Sequence, residues 1–422
     1  MMFRAGPTAT AKALALLALR SRATDRAHTR ANICQSQDIS QTDGRRRTIA
    51  VVAPHYPPHV GGAEAYADRL VKRYQADDNL RPIVVTTKPR GLRTTLRSQD
   101  GVQIVELSTW WSLSNTPLNP MWPLTLSRIF SKFDVDVVHA HAPVPVLADI
   151  AVRIAGSRPT LLTYHCGSMI KNSWPADLVI RLYERYLLPR TFERVDKVLA
   201  VSPSALGADR PNAEVLTPGV DTELFHPPAQ RRDVSRTILY VGRIDRSSAW
   251  KGIEELIRAF AITHANAPDA RLRIVGDGDA TPELRALCHA LDIADYVEFS
   301  GRLSGTDLAD AYRVSRCLVL PSLTAAESFG MTLIEAMASG RPVIGSRVGG
   351  IPFVIEDGYN GLLVPPGDIE ALARACDRML ADDAMAERMG RNGRLLALSR
   401  YRWDITTGRY LQLVQSLPRR RV

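Results

Sequence analysis

Ile49-Ala-Val-Val-Ala53 is followed, after a loop carrying Gly61-Gly62, by Ala63, Tyr66, Ala67, Leu70, Val71 and Tyr74. The first run is short, continuous and apolar, as a strand buried on both faces requires. The second set recurs at i, i+3, i+4, i+7, i+8 and i+11, which is one face of an amphipathic helix. A buried strand turning through glycine into a helix opens a parallel βαβ unit. The same texture continues along the chain. Ile83–Thr87, Val102–Leu107, Val135–His139, Thr160–Tyr164, Lys197–Val201 and Glu214–Thr217 read as further strands, several of them spaced widely enough for crossover helices. The first half is therefore expected to be a parallel, doubly wound sheet.

From Pro218 through Pro227-Pro228 to Arg236 the chain is rich in proline and charge, the best linker signal it has. The alternation then restarts, with strands expected at Ile238–Val241, Leu272–Val275, Val297–Phe299, Cys317–Leu320, Val343–Ile344 and Leu362–Val364. The fold class is α/β, with two Rossmann-like doubly wound domains facing across a cleft. The expected divisions are an N-terminal tail, disordered or targeting, over residues 1–47, a first domain over 48–225, a second over 226–400, and a final helical segment over 401–418. Open parallel sheets bind ligands outside the carboxyl ends of their strands, so short motifs at strand ends are where chemistry is sought.

The chain has 422 residues, enough for two or three domains with sizeable cores. Its 54 Lys/Arg against 44 Asp/Glu give a net charge of +10. That excess sits at the ends: residues 1–47 hold nine Lys/Arg against three Asp, and Arg419, Arg420 and Arg421 close the chain. The body is nearly neutral, and no zinc-finger spacing or aromatic-basic RNA signature is present, so nucleic acid is not an expected partner. The longest apolar run near the start, Ala13–Leu19, falls far short of the roughly 20 residues a membrane span needs. Cys34, Cys166, Cys288, Cys317 and Cys376 are odd in number, scattered and free of C-x-x-C, which fits a reducing compartment and a cytoplasmic location.

Several strand ends carry candidate chemistry. Gly61-Gly62-Ala63-Glu64 allows close backbone approach at a helix start, where N–H groups favour an anion; an ordinary turn is the other reading. His139, His141 and His165 gather at two strand ends as hydrogen-bonding groups, metal ligands or satisfied structural groups, with metal the weakest reading and ligand contact the better one for His141. Arg243 closes the first strand of the second half and Lys251 opens the next helix, a planar fork and a point charge able to converge on a diphosphate; two surface cations in a solvated loop are the other reading, and the one favoured without further context. The pairs Asp134/Asp136 and Asp277/Asp279 superficially resemble metal sites but have chance-level spacing, so no metal site is assigned.

The most informative stretch runs from Pro321 to Pro342 and contains Glu327, Gly330 and Glu335. A helix of about nine residues is expected to start after Gly330 and stop at Gly340, with its first N–H groups open to oxygen ligands. Glu335 lies among Leu333, Ile334, Ala336 and Met337, where a carboxylate needs hydrogen-bond donors such as sugar hydroxyls.

Taken in order, Gly61-Gly62-x-Glu64, Asp136-Val-Val-His-Ala-His141, Ala200-Val-Ser-Pro203, Pro218-Gly-Val-Asp221, Val241-Gly-Arg243, Lys251-Gly252, Val275-Gly-Asp-Gly278 and the Glu327 to Glu335 signature resemble the retaining, GT-B-fold glycosyltransferases of the group 1 type over about residues 48–400. The resemblance implies transfer of a hexose from a nucleotide-diphosphate sugar, GDP-mannose or a UDP-hexose, to a saccharide or lipid-linked acceptor, with retained configuration and neither metal nor cofactor. It implies that Arg243 and Lys251 clamp the diphosphate, Glu335 holds the ribose, Glu327 with the N–H groups from Phe329 through Gly330 to Met331 positions the sugar, Gly62 approaches the diphosphate and His141 lies near the reacting carbon. Glu64 and His165 fall on the acceptor side. The eight-residue spacing from Arg243 to Lys251 is longer than in many relatives, and opens a share of the phosphate role to Arg246. The resemblance also brings the last helix, about Tyr401–Ser416, back across the first domain. A sugar-nucleotide epimerase of related fold and a non-catalytic sugar-nucleotide-binding subunit are the alternatives. Finally, Lys88-Pro-Arg-Gly-Leu-Arg93 and Arg97, near Trp110-Trp111 and Trp122, make an anionic membrane surface a candidate partner, with peripheral attachment at the cytoplasmic face; a solvated basic loop is the plainer reading.

Overall fold

The computed structural model describes residues 45–418, apart from 60, 90, 114, 115, 171–175 and 229–234. The rest of the tail, Cys34, Arg90 and the terminal arginines 419–421 lie outside the described residues. Two sheets carry the architecture.

In the first lobe β1 (Arg47–Val52), whose Ile49–Val52 are fully buried, leads to α1 (Gly62–Gln75). There follow β2 (Leu80–Thr87), β3 (Thr95–Gln99), β4 (Val102–Leu107) and the small hairpin β5 (Trp111–Leu113) and β6 (Thr116–Leu118). Next come α2 (Trp122–Lys132), β7 (Val137–Ala142), α3 (Leu147–Ile154) and β8 (Thr160–Tyr164). A continuous helical stretch follows, made of α4 (Ala176–Leu182), a π turn (Tyr183–Leu187) and α5 (Leu188–Arg194), and then β9 (Lys197–Ala200) and β10 (Ala213–Val215). The sheet order is β10-β9-β8-β7-β1-β2-β4-β3, parallel except for β3, which runs antiparallel to β4.

In the second lobe the order along the chain is β11 (Thr237–Val241), a 3₁₀ segment (Arg246–Lys251), α6 (Ile253–Asn266), β12 (Arg271–Val275), α7 (Thr281–Ala290), β13 (Val297–Gly301), α8 (Gly305–Val314) and β14 (Cys317–Leu320). It continues through α9 (Met331–Ala338), β15 (Val343–Ser346), α10 (Ile351–Val354), β16 (Gly361–Val364), α11 (Ile369–Ala381) and α12 (Asp383–Arg400). Its sheet, β13-β12-β11-β14-β15-β16, is wholly parallel. Both sheets are doubly wound, each with a core on either face.

The last helix, α13 (Trp403–Ser416), leaves the second lobe and lies on the first. Its buried Thr406, Thr407, Tyr410, Leu413 and Val414 form one face, which packs with Tyr66, Leu70 and Tyr74 of α1. Burying Tyr410, Leu413 and Val414 is worth about 1.5–3 kcal/mol for each side chain. The Arg47 guanidinium adds charge-assisted bonds to the carbonyls of Val414 (2.9 Å), Leu417 (3.1 Å) and Pro418 (3.0 Å) at the end of that helix.

Three details correct the expectations. Arg47, assigned to the tail, opens β1. The first sheet is not purely parallel, and the stretch taken as a basic loop before Arg97 ends in β3, where Arg97 pairs with Glu106 at 2.8 Å and donates to the Pro57 carbonyl at 2.7 Å. Arg97 is therefore committed inside the fold. The strand expected at Val135–His139 starts two residues later and runs through both histidines to Ala142.

Candidate active site

Each sheet reverses its winding once, beside β1 and β7 in the first lobe and beside β11 and β14 in the second. The candidate residues lie in the segments that follow those four strands, with His165 after the neighbouring β8, on the side where an open sheet leaves a crevice.

The second-lobe wall is built around β14. Its outgoing loop carries Glu327, and Gly330, with φ of 84°, turns that loop into α9. No acceptor among the described residues meets the N–H groups of Phe329, Gly330 or Met331. The Phe329 ring is buried against Phe353 and Tyr401, so only its backbone faces the loop. Glu327 accepts a bond from the Lys251 ammonium at 2.9 Å, with side chains 13% and 15% exposed. The same ammonium stands 4.6 Å from the centre of the Trp250 ring. A nearly dry ion pair of this kind holds both partners in place and is costly to break on one side.

Glu335 lies one turn into α9 and accepts a 2.7 Å bond from the fully buried Tyr312 hydroxyl of α8. It is part-buried, and desolvation by its packed surroundings pushes its carboxyl up to about 7 against the Tyr312 bond, which lowers it. Glu327 and Glu335 thus lean on different partners, one on a cation and the other on a phenol.

Arg243 sits exposed in the turn after β11, with no carboxylate pairing to it among the described residues. Beneath it the Tyr240 hydroxyl is buried without a partner among the described residues, and feels the charges of both Glu327 and Arg243. Arg246 does not join this group. Its guanidinium pairs with Glu283 on the surface, and its backbone N–H donates to Asp279.

On the facing wall, Gly62 is the first residue of α1, and a Cβ added to it would stand 3.7 Å from the Met331 side chain at the start of α9. Two helix N-termini therefore face one another across the crevice. The Glu64 carboxyl, in the first turn of α1, folds back over Gly61.

The three histidines divide by their partners. His139 is satisfied on both nitrogens, by Tyr74 (3.2 Å) and Thr163 (2.8 Å), and belongs to a buried network that continues through Tyr410 to Tyr66. His141 Nδ1 lies 2.9 Å from His165 Nε2, while its buried Nε2 has no partner among the described residues. Burial lowers all three, His139 to about 3, His165 to about 4 and His141 well below the usual range, so the cluster is neutral at physiological pH. The lobes meet beside it: Ser328 Oγ donates to the His165 carbonyl at 2.5 Å, and Cys166 Sγ lies 3.7 Å from the Ala326 carbonyl.

Tyr312, Tyr240 and the His141–His165 bond carry no motif in the sequence. Tyr312 sits 23 residues before its partner on another helix, and its only signal is a tyrosine on an otherwise apolar face. Of the aspartate pairs, Asp136 accepts from Thr48 N, Asp277 from Gly278 N and Asp279 from Arg246 N. No group of three His, Cys, Asp or Glu among the described residues is placed to hold a metal ion. No helix among them is long and apolar enough to cross a membrane.

Residues 221–396 match the family model described as Glycosyl transferases group 1, and residues 60–224 match Glycosyltransferase Family 4. The chain is 28% identical over 388 residues to a GDP-mannose-dependent alpha-(1-6)-phosphatidylinositol monomannoside mannosyltransferase of Mycolicibacterium smegmatis, covering 87% of this chain and 98% of that one. It is 28% identical over 419 residues to a D-inositol 3-phosphate glycosyltransferase of Streptomyces bingchenggensis, covering 87% and 89%. Among solved structures, a sucrose-phosphate synthase from Thermosynechococcus elongatus superposes with a TM-score of 0.71 at 25% identity, covering 88% and 98%. The fold is shared also with HepE of Anabaena, solved in complex with UDP, at a TM-score of 0.67 and 20% identity, covering 88% of this chain and all of that one.

Proposed function

We infer the reaction from one premise: the chain belongs to the group 1 glycosyltransferases, and it is a glycosyltransferase of the GT-B fold. We propose that it transfers a hexose, with mannose from GDP-mannose the first candidate and a UDP-hexose the second, to a lipid-linked acceptor that carries an inositol phosphate. Relatives named for GDP-mannose, phosphatidylinositol and inositol 3-phosphate support this choice. The observation that carries the reading is the Lys251–Glu327 pair, whose carboxylate shares its loop with the open N–H groups of Phe329 to Met331, together with an Arg243 that pairs with no carboxylate among the described residues.

In this reading Arg243 and Lys251 hold the diphosphate and stabilise it as it leaves. Glu335, oriented by Tyr312, accepts from the ribose. Glu327 and the N–H groups from Phe329 through Gly330 to Met331 position the hexose, Gly62 lets the backbone reach the diphosphate, and the neutral His141 offers its free Nε2 near the reacting carbon. Glu64 and His165 line the acceptor side. The bond from C1 to the diphosphate oxygen breaks, a bond from C1 to the acceptor oxygen forms, and the acceptor's proton leaves with the diphosphate. Retained configuration and metal independence belong to this proposal, the two cations supplying the neutralisation a metal would give. The test offers GDP-mannose or UDP-glucose with phosphatidylinositol in EDTA. The expected product is a mannosylated lipid of retained anomeric configuration, formed from GDP-mannose. Transfer from the UDP-sugar alone would change the donor, isomerised or free sugar without acceptor product would favour the epimerase reading, and activity restored only by magnesium would overturn the metal clause.

The elevated Glu335 carboxyl gives a pH dependence of defined sign. Ribose hydroxyls bond best to the ionised form, so nucleoside diphosphate affinity is expected to rise as pH increases through about 7, with protons released on binding near that pH. In the free protein the sign is opposite. The folded state holds the proton more tightly than the unfolded one, so this group's contribution to stability is present below the ordinary glutamate range and is lost as pH climbs towards about 7. Calorimetric titration in buffers of different ionisation heat checks the first statement. Glu335→Gln should abolish the proton release.

A further inference from the structure

Leu178, Val179, Leu182, Tyr186 and Leu187 are 51, 56, 51, 53 and 57% exposed, all on the helical stretch formed by α4 and the π turn. The opposite side of the stretch is core: Tyr183, Leu188 and Phe192 pack with the strands of the first lobe. A helix whose outer face lies in water ordinarily carries polar residues there, as α1 does with Lys72, Arg73 and Gln75. This one carries a leucine-rich stripe, with Arg181, Arg185 and Arg190 exposed beside it. Within α4 and the π turn the carboxylates are turned away: Asp177 is buried, and Glu184 accepts from Ser168 Oγ (2.9 Å) and Met169 N (2.7 Å), while the exposed Glu193 lies beyond them, beside Arg190 and Arg194 in α5. The outward face is therefore apolar and cationic together.

We propose that this face docks on an anionic lipid bilayer, the leucines and Tyr186 entering the boundary between headgroups and acyl chains and the arginines meeting lipid phosphates. The charge decides between occupants. A second copy of this chain would set arginine against arginine, whereas an anionic surface complements them. Position supports the same choice. Glu184 fastens the stretch to the Ser168–Met169 loop, which leaves β8 through His165 and Cys166, and Cys166 touches Ala326 beside Glu327. A bilayer held here would present its headgroups next to the crevice. The purpose of the contact rests on the lipid-acceptor reading of the active site, and the test keeps the two apart.

The full chain is sedimented with phosphatidylcholine vesicles with and without phosphatidylglycerol, so that the basic tail is common to every sample. Leu178→Ser/Leu182→Ser/Leu187→Ser should lower partitioning on the order of a hundredfold or more, given the free energy of each buried apolar group. Arg181→Glu/Arg185→Glu should lower it by more than tenfold and remove its salt dependence. Both variants should keep the parent's melting temperature and its stabilisation by GDP. Parent-like pelleting of either variant, or equal binding of the parent to neutral vesicles, would overturn the proposal. A dimer in light scattering that the leucine variant dissociates, with no effect on vesicles, would reassign the face to self-association. Absence of stabilisation of the parent by both GDP and UDP would sink the active-site reading alone, whatever the vesicles show.

Discussion

Lys251→Ala is expected to lower kcat by a factor on the order of 10²–10³, the usual loss when one preorganised group facing developing charge is removed. Its ammonium is 15% exposed and already fixed by Glu327 and the Trp250 face, so little reorganisation separates the free protein from one holding a diphosphate. The substitution also strands Glu327, only 13% exposed, without its cation. A buried, unpaired carboxylate costs several kcal/mol or takes up a proton instead. The loss should thus appear in kcat and in melting temperature together, whereas Glu327→Gln, which leaves a neutral amide beside the ammonium, should spare more of the stability than of the turnover. Steady-state kinetics alongside thermal melts checks the pair. A Lys251→Ala protein with parental kcat and raised KM would restrict the lysine to ground-state binding.

Gly252→Ala is expected to destabilise the second lobe by roughly 3 kcal/mol, the sum of left-handed strain and a steric overlap. Gly252 adopts φ of 73° between the 3₁₀ segment and α6, and an added Cβ would run into the Pro321 carbonyl. Backbone at both ends of that contact leaves no flexible atom to yield. Relief requires moving the 3₁₀ segment away from the loop after β14, which separates Lys251 from Glu327. A drop in melting temperature with a parallel loss of GDP affinity is therefore the outcome sought. A melt unchanged from the parent would show that the segment shifts freely.

The parts of the fold legible in sequence are those buried on both faces. β1, with Ile49–Val52 fully buried, and β14, with Cys317–Leu320 buried throughout, announce themselves as apolar runs. β3 does not. Its Thr-Leu-Arg-Ser-Gln is almost wholly exposed, and it exists because β4 offers a free edge and Glu106 a partner for Arg97. The β5–β6 hairpin is equally silent, its Trp110 and Trp111 reading as loop aromatics until their pairing is seen. In the candidate site the acids, the cations and the glycine turns are legible because each sits in a short local motif in the segment that follows a strand. What was not legible lies at a distance along the chain: Tyr312 beneath Glu335, Glu283 withdrawing Arg246, and His165 against His141. The exposed apolar stripe of α4 and the π turn is silent in the sequence for another reason. Its apolar residues have helical spacing, which in sequence is indistinguishable from a helix facing a core.

The chain passes between the lobes twice, once after β10 and once before α13, and the two passages touch. Val220 N bonds the Tyr401 carbonyl at 2.6 Å, Gly219 lies against Trp403, and Thr406 reaches the Thr217 carbonyl at 3.0 Å. Two covalent tethers side by side act as a door's paired pins. Sliding or twisting of one lobe over the other would have to tear one tether from its neighbour, whereas swinging about the line they define leaves both intact. A chain shortened at Arg400 would lose one pin and strip the cover from Tyr66 and Tyr74 together, so its deficit would be felt in how the crevice opens as much as in how well the first lobe holds.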